Sequence, residues 1–171
     1  AQQAPQVADA LQAEGAQRSL FSPVLDGQVL PHDIGPALHQ AAGRADVLVS
    51  VARDEMAAFP GSAVDDAHHE EGERIFGRPS RQWAEDAAAQ GRHAWLARFD
   101  IAPTARFGAC HCIDLPFVFG TLPAFKGAAM LHGLPEGHGK QLSQQVQRAW
   151  IAFIRGDAPG WDPVPQQHLL A

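Results

Sequence analysis

The fold class of this chain follows from one continuous apolar run, Asp46-Val47-Leu48-Val49-Ser50-Val51-Ala52. Such continuity, with several β-branched residues, predicts a strand buried on both faces, as the strands of a parallel sheet are. A second strand is predicted at residues 93–100, where apolar and less apolar residues alternate. Helical patterns lie between and after the two strands, and this order is typical of an α/β protein.

The remaining predicted elements are helices and one turn. The helical patterns cover residues 5–15, 33–43, 56–59, 64–76, 80–90 and 140–155. Ser80 is the predicted N-cap of its helix, and Gly91 and Gly156 predict the ends of the last two helices. Asp26-Gly27, between two short apolar runs, predicts a tight turn or a hairpin. Because two strands are few for an independent sheet, we expect the sheet to continue elsewhere.

Composition excludes several classes of function. The 171 residues suffice for one domain with a core, and apolar residues make up an ordinary 46%. The formal net charge of −6 gives no basic surface of the kind that nucleic-acid binding needs, so nucleic acid is not an expected partner. No apolar run approaches the roughly 18 to 20 residues that span a bilayer, so no membrane span is expected.

The first residues and the cysteines bear on the compartment. The chain begins at Ala1 without an initiator methionine and without the charged and apolar regions of a signal peptide. We therefore expect that a segment was removed or that the chain begins inside a longer gene product. Cys110 and Cys112 are too close for a comfortable disulfide, which favours a reducing, cytoplasmic compartment. Secretion stays open if a preceding portion carries a signal.

Two carboxylates follow the first predicted strand. Asp54 and Glu55 stand where the strand ends, and the ends of strands are where catalytic groups collect in open α/β sheets. Either carboxylate could orient a histidine through its Nδ1–H and stabilise the imidazolium that forms. The simpler interpretation is that both residues favour the N-terminus of the following helix.

His111 is the candidate base. It lies in a small-residue segment that begins at Gly108 and precedes an apolar run, so its imidazole is free to face a cleft. A neutral imidazole can take a proton from a nucleophile and return it to a leaving group. A structural histidine is the alternative. Cys110 and Cys112, as immediate neighbours, point away from His111, and we interpret both as small packing residues.

Other polar residues predict no site. The cluster His68-His69-Glu70-Glu71 has the composition of a metal site, but adjacent helical residues lie about 100° apart and ligand pairs stand at i, i+4. We expect a solvated polar face there. Three further histidines are expected in loops: His132, His138 and His168. There is no Gly-x-Ser-x-Gly elbow, and neither Ser62 nor Ser80 is a credible nucleophile.

Four segments match the motifs of one known family. Residues 21–31 are similar to F-x-P-V-x-D-G-x-x-L-P, and residues 50–59 to G-x-x-x-D-E-G-x-x-F. Residues 108–120 are similar to G-A-x-H-x-x-E-L-x-Y-V-F-G, and residues 150–163 to the ending W-x-x-F-x-x-x-G-x-P…W-P. Together they resemble the C-terminal part of type-B carboxylesterases, the group of the cholinesterases and para-nitrobenzyl esterases. The order of acid and histidine is that of α/β-hydrolases.

The resemblance implies both a fold and a function. Residues 1–171 would form the C-terminal part of an α/β-hydrolase, with a partial, mostly parallel sheet flanked by helices. The implied activity is carboxylic ester hydrolysis by a Ser-His-Glu triad, with Glu55 as the acid, His111 as the base and Asp54 as a lesser candidate for the acid. An N-terminal portion, as a separate chain or a missing segment, would complete the sheet and supply the serine and oxyanion hole. The implied substrate is a small-molecule ester, with no cofactor or metal.

The chain departs from the family pattern near the implied site. Met56 stands where the family usually has glycine, Ser50 where it often has glycine, and Asp114 where it has glutamate. The stretch between Glu55 and His111 is shorter than in many relatives, which implies a trimmed helical region over the site.

Two other functions stay open from the sequence. One is a non-catalytic hydrolase-like interaction module, which a partner without a serine in a Gly-x-Ser-x-Gly elbow would indicate. The other is a cysteine hydrolase using Cys112, which predicts thiol-dependent activity from this chain alone.

Overall fold

A three-stranded parallel sheet lies at the centre of the residues that the computed structural model describes, 23–59 and 61–171. Across the sheet the strands are β1 (Val47–Ala52), β2 (Ala94–Phe99) and β3 (Gln167–Leu170). Both neighbouring pairs run parallel. The predicted α/β class is therefore confirmed, and the two strands predicted from the sequence are β1 and β2.

Burial of the strands follows their place in the sheet. β2 is paired on both sides and is buried along almost its whole length. β1 is only half-buried over residues 47–51, because within the described residues it has a strand partner on one side. The expectation that residues 46–52 are buried on both faces is thus wrong for this chain, and β2 is the strand that meets it.

The third strand was not predicted. His168, expected in a loop, lies in β3, where residues 167–170 pair with residues 96–99 of β2. Its ring stacks on Trp161 with centroids 4.5 Å apart. Only two of the four strand residues are strongly apolar, so the extended conformation comes from pairing with β2 rather than from the local pattern.

Helices cover both faces of the sheet. They are α1 (Ile34–Ala42), α2 (Asp66–Gly72), α3 (Arg78–Ala89), α4 (Leu115–Val118) and α5 (Glu136–Ile154). Short 3₁₀ turns lie at Glu55–Ala58, Leu122–Phe125 and Ala129–Leu131, and a π turn lies at Glu73–Gly77. Within the described residues no helix combines the length and the apolar character that crossing a membrane requires.

The alternation of side chains along β2 divides the core in two. Ala94 and Leu96 pack with Ala84 and Ala87 of α3 on one face. On the other face a second cluster combines residues of β2, β3, α4 and α5: Ala97, Phe99, Leu170, Phe117 and Val146. Successive side chains of a strand point to opposite faces, so one strand serves both clusters.

The helical region before β2 is continuous from residue 66 to residue 89. Asp65 caps its start by accepting the N–H of His68 at 2.9 Å. The N-cap predicted at Ser80 is wrong, because Ser80 lies inside α3. Pro79 lacks an N–H and interrupts the regular ladder of hydrogen bonds, and the π turn directly before it is a usual accommodation of such an interruption. Gly91 has φ +80°, which confirms the predicted end.

Helix α5 begins earlier than the sequence predicts. It starts at Glu136 rather than near residue 140, so His138 lies in a helix and its expected place in a loop is wrong. Gly137 and Gly139 in the first turn weaken the helical pattern. A Cβ at Gly139 would lie 3.0 Å from Leu134 Cδ2, so the glycine lets this leucine pack closely against the helix.

The chain divides into two compact units, residues 1–38 and 39–171, and the boundary falls within α1. In the described part of the first unit, Asp26 Oδ1 accepts the N–H groups of Gln28, Val29 and Leu30. Gly27 has φ +75° there, so the predicted tight turn is confirmed, without hairpin strands in residues 23–38. The helix predicted at residues 5–15 lies outside the described residues.

Candidate active site

The acid candidate lies directly after β1. Glu55 is the first residue of the 3₁₀ turn at Glu55–Ala58 and is 8% exposed. Its Oε1 accepts the N–H of Ala52, the last residue of the strand, at 2.7 Å. The side chain therefore folds back on the end of β1, and its position is fixed by the strand.

The base candidate lies in a tight turn before α4. The N–H of Ile113 donates to the carbonyl of Cys110 at 3.1 Å, which closes the turn around His111. Cys112, within the turn, has φ +67°. Phe117 of α4 is fully buried and anchors the chain after the turn. His111 is thereby held between buried residues while its side chain stays 40% exposed.

The structure brings Glu55 and His111 together from opposite ends of a long stretch of sequence. Glu55 Oε2 lies 2.6 Å from His111 Nδ1, and the His111 N–H donates to the Glu55 carbonyl at 3.3 Å. An ionised carboxylate only accepts, so the neutral imidazole carries its proton on Nδ1. The other nitrogen, Nε2, then holds the lone pair that a general base needs.

Two aromatic rings flank the imidazole. The Phe59 ring lies 5.5 Å from it and the Phe76 ring 5.1 Å, centroid to centroid. Phe76 belongs to the π turn at Glu73–Gly77. Sequence reasoning singled out neither ring for the site, although Phe59 occupies the last position of the motif at residues 50–59. Both rings are tilted against the imidazole, by 30° and 35°, and they cover part of its surface while the side chain stays 40% exposed.

Asp54 does not share the arrangement of Glu55. Its carboxylate accepts the N–H of Ala109 at 2.8 Å and pairs with the Arg53 guanidinium, whose Nη2 lies 2.9 Å from Oδ2. The hydrogen bond to Asp54 raises the pKa of Arg53 above its usual value. The geometry thus favours Glu55 over Asp54 as the partner of the imidazole. Asp54 is the N-cap of the 3₁₀ turn and Glu55 lies in its first turn, as the simpler interpretation expects, but the Asp54 side chain makes no capping hydrogen bond there.

The cysteines beside His111 differ from each other. Cys110 is buried, with Sγ 3.8 Å from Met130 Sδ, as expected of a packing residue. Cys112 is exposed, so its predicted packing role is wrong. Desolvation and the nearby carboxylates of Asp114 and Glu55 raise the pKa of the Cys112 thiol. A catalytic cysteine needs a lowered pKa, so this environment disfavours the cysteine-hydrolase alternative.

The histidine-rich helix carries surface ion pairs. His68 Nδ1 lies 2.7 Å from Asp65 Oδ1. Exposed Glu70 pairs with Arg78, and Glu71 pairs with Arg74 on the same helical region. This part of α2 is a solvated polar face, as the spacing argument predicts.

Curated relatives of the chain are bacterial hydrolases, although no protein-family model matches it. The para-nitrobenzyl esterase of Bacillus subtilis is 30% identical over an alignment of 181 positions, which covers 84% of this chain and 36% of the relative. A probable N-octanoylanthranilate hydrolase of Rhodococcus erythropolis is 30% identical over 142 residues, 70% of this chain and 31% of the relative. The chain is a homologue of the type-B carboxylesterases. It spans about a third of the length of these relatives.

Solved structures of carboxylesterases share the fold. One PNB esterase superposes with a TM-score of 0.77 at 23% identity, over 98% of this chain and 44% of its own. A carboxylesterase of Geobacillus stearothermophilus superposes with a TM-score of 0.61 at 21% identity, over 95% of this chain and 41% of its own. This partial coverage fits a C-terminal portion of a type-B carboxylesterase, as the motifs imply.

Proposed function

We propose that this chain supplies the acid and the base of a Ser-His-Glu triad that hydrolyses a small-molecule carboxylic ester. Glu55 is the acid and His111 the base. The serine and the oxyanion hole come from an N-terminal portion of the same hydrolase, either as a second chain or as a preceding segment. The observation that carries the proposal is the 2.6 Å contact between Glu55 Oε2 and His111 Nδ1.

The geometry suits proton transfer because each oxygen of Glu55 binds a different partner. Ala52 holds one oxygen of Glu55 and the imidazole binds the other, so the carboxylate cannot rotate freely. The carboxylate fixes the tautomer and stabilises the imidazolium that forms when Nε2 accepts a proton. The half-exposed His111 side chain can be reached by a nucleophile from outside the chain.

The reaction would proceed in two halves. In the first, the serine Oγ attacks the ester carbonyl as His111 Nε2 takes its proton and then delivers that proton to the departing alcohol. In the second, His111 takes a proton from water, whose oxygen attacks the acyl-serine. The proton then returns to the serine and the carboxylic acid leaves. Glu55 stays ionised throughout and holds the imidazolium in place.

The need for a second portion is supported by three features. The sequence has no Gly-x-Ser-x-Gly elbow, and the chain spans about a third of its curated relatives. β1, which directly precedes the acid, is half-buried and lies at one side of the described sheet. Exposed strand edges pair readily with further strands, so β1 is a suitable attachment site for the rest of the sheet.

The test is to combine this chain with the nucleophile-bearing portion and to measure release of p-nitrophenol from a p-nitrophenyl ester. We expect hydrolysis by the combination and none by this chain alone. A partner that holds a serine elbow but gives no hydrolysis with this chain would contradict the proposal and favour the interaction module. Activity of this chain alone that a thiol reagent abolishes would contradict it in favour of Cys112.

A further inference from the structure

We propose that Asp54 is a positioning residue, whose carboxylate fixes the loop that carries His111 so that the imidazole meets Glu55. The inference rests on the proposed function, in which His111 is the base. Asp54 would touch neither the substrate nor the imidazole, and it would act only through the backbone of the loop.

Asp54 binds both backbone polar groups of Ala109. Its N–H donates to the Ala109 carbonyl at 2.9 Å, and its Oδ2 accepts the Ala109 N–H at 2.8 Å. One step further along, the His111 N–H donates to the Glu55 carbonyl. Residues 54 and 55 therefore bind residues 109 and 111 in a short parallel pairing, centred on the bridge between Asp54 and Cys110. The acid and the base are joined by this pairing as well as by their own hydrogen bond.

Gly108 is the residue that allows this close approach. Its φ of +54° is in the left-handed region, and a Cβ at this position would collide with the carboxylate of Asp54. The next residue, Ala109, is fully buried, so water cannot replace the acceptor for its N–H if the carboxylate is removed. After such a loss only the backbone bonds of Asp54 and Glu55 would hold the loop, and the unpaired N–H of Ala109 would favour a shift of the loop away from Glu55.

The charge of Asp54 is compensated where it is buried. The side chain is 9% exposed, and Arg53 binds both of its oxygens, through Nε and Nη2. A bond from an N–H to an ionised carboxylate is about twice as strong as one between neutral groups. The neighbouring strand β2 ends in a similar pair, Arg98 with Asp100, with Nε 2.6 Å from Oδ1. That pair contacts β3 through the backbone rather than the histidine loop, which makes Asp100 a matched control.

The first test measures ester hydrolysis by the chain combined with the nucleophile-bearing portion. Asp54→Ala should lower kcat roughly 10- to 100-fold with KM within about twofold, because a displacement of about 1 Å can cost 10²-fold. Asp54→Asn keeps an acceptor for Ala109 and should restore kcat to within about fivefold of the parent. Asp100→Ala removes a carboxylate from the matched pair and should leave kcat within about twofold. Equal losses in Asp54→Ala and Asp100→Ala, or no loss in Asp54→Ala, would overturn the inference.

A second test needs no substrate. The proton on His111 Nδ1 should give a strongly downfield ¹H resonance in the same assembled protein, as protons in short bonds to carboxylates do. We expect this resonance to be lost in Asp54→Ala and kept in Asp54→Asn and Asp100→Ala. If no variant and not even the parent hydrolyses the ester, the proposed function fails, while this resonance still decides the role of Asp54. Its persistence in Asp54→Ala would overturn that role.

A variant on the loop side covers the case in which Asp54→Ala does not fold. Gly108→Ala pushes the loop away from the same carboxylate and should cause the same loss of the resonance and of kcat. Where Asp54→Ala does fold, the double variant lacks the collision with the carboxylate, so Gly108→Ala should cost less activity when Asp54 is alanine than when it is aspartate. An unchanged resonance in Gly108→Ala, or strictly additive losses, would contradict the inference.

Discussion

Replacing Glu55 by glutamine tests the proposed triad at its most constrained point. The carboxylate accepts two hydrogen bonds with its two oxygens, from the Ala52 N–H at 2.7 Å and from His111 Nδ1 at 2.6 Å. Glutamine has the same shape but only one oxygen, so it can accept only one of these bonds in the same place. In the variant, the single amide oxygen therefore accepts either from the Ala52 N–H or from His111 Nδ1.

The cost of each choice sets the size of the effect. Leaving the buried Ala52 N–H without an acceptor costs about 1–3 kcal/mol. Donating the amide to His111 Nδ1 only moves the imidazole proton to Nε2 and breaks no hydrogen bond. The orientation in which the glutamine oxygen accepts the Ala52 N–H is therefore favoured over the other by a factor of about 5 to 150, at 1.4 kcal/mol per factor of ten. In that state Nε2 is protonated and cannot act as a base. The same wrong tautomer lowers kcat about 10⁴-fold in a serine protease triad.

The tautomer alone should therefore lower kcat about 5- to 150-fold in Glu55→Gln, and loss of the charge that stabilises the imidazolium should bring the total loss towards about 10⁴-fold, with folding retained. Stopped-flow or steady-state release of p-nitrophenol gives kcat, and ¹⁵N chemical shifts of the imidazole report which nitrogen carries the proton. Glu70→Gln, on the exposed face of α2, is the matched control and should leave kcat unchanged. A Glu55→Gln variant with kcat within threefold of the parent, or with the proton still on Nδ1, would refute the reasoning.

Three further predictions concern single side chains. His111→Ala should reduce ester hydrolysis more than Glu55→Gln, close to the background rate, because it removes the base itself; a smaller loss in kcat would contradict its role. Burial raises the pKa of the Asp114 carboxyl, so the folded chain binds its proton more tightly than the unfolded chain does. The stabilisation that this proton gives to the folded chain is present at acid pH and is lost as the pH rises through the raised pKa. The melting temperature of Asp114→Asn relative to the parent should therefore increase from acid towards neutral pH, and a flat difference would argue against this. Gly91→Ala should destabilise by about 1–2 kcal/mol in urea unfolding, because φ is +80° and nothing lies within 4 Å of the added methyl; no change would refute the backbone argument.

Elements with a strong local pattern could be predicted from the sequence. The run at residues 47–52 forms β1, and Gly91 ends α3, because continuous β-branched residues and a helix-terminal glycine act locally. β3 could not be predicted, since it is extended only through its pairing with β2. The start of α5 was missed for a related reason: glycines at 137 and 139 oppose a helix locally, and packing against Leu134 outweighs this.

In the candidate site too, some features could be predicted from local sequence and others depend on contacts made only in the folded chain. The strand end before Glu55, the small residues before His111 and the family motifs all indicate these two residues, but no spacing rule brings residues so far apart in sequence to 2.6 Å. Asp54 was considered only as an alternative acid, because its contact with Ala109 depends on the folded loop. Gly108 is the local feature that bears on this contact, because a residue without a Cβ lets the Asp54 carboxylate come close to the loop before Ala109. Cys112 is exposed and has a positive φ, a backbone conformation that a cysteine does not predict.

The pairing of residues 54–55 with residues 109–111 determines where the chain between them can change in length. The backbone bonds between these residues join the two ends of the intervening chain, so the distance between Glu55 and His111 is set where the ends meet. Doubling the length of a flexible loop costs only about 0.6 kcal/mol of closure entropy. Insertions or deletions at the exposed start of α2 can therefore alter the helical region that places Phe76 beside the imidazole, while the pairing of residues 54–55 with residues 109–111 is kept. The proposed function then predicts that length changes at the start of α2 alter ester selectivity while the contact between Glu55 and His111 is kept.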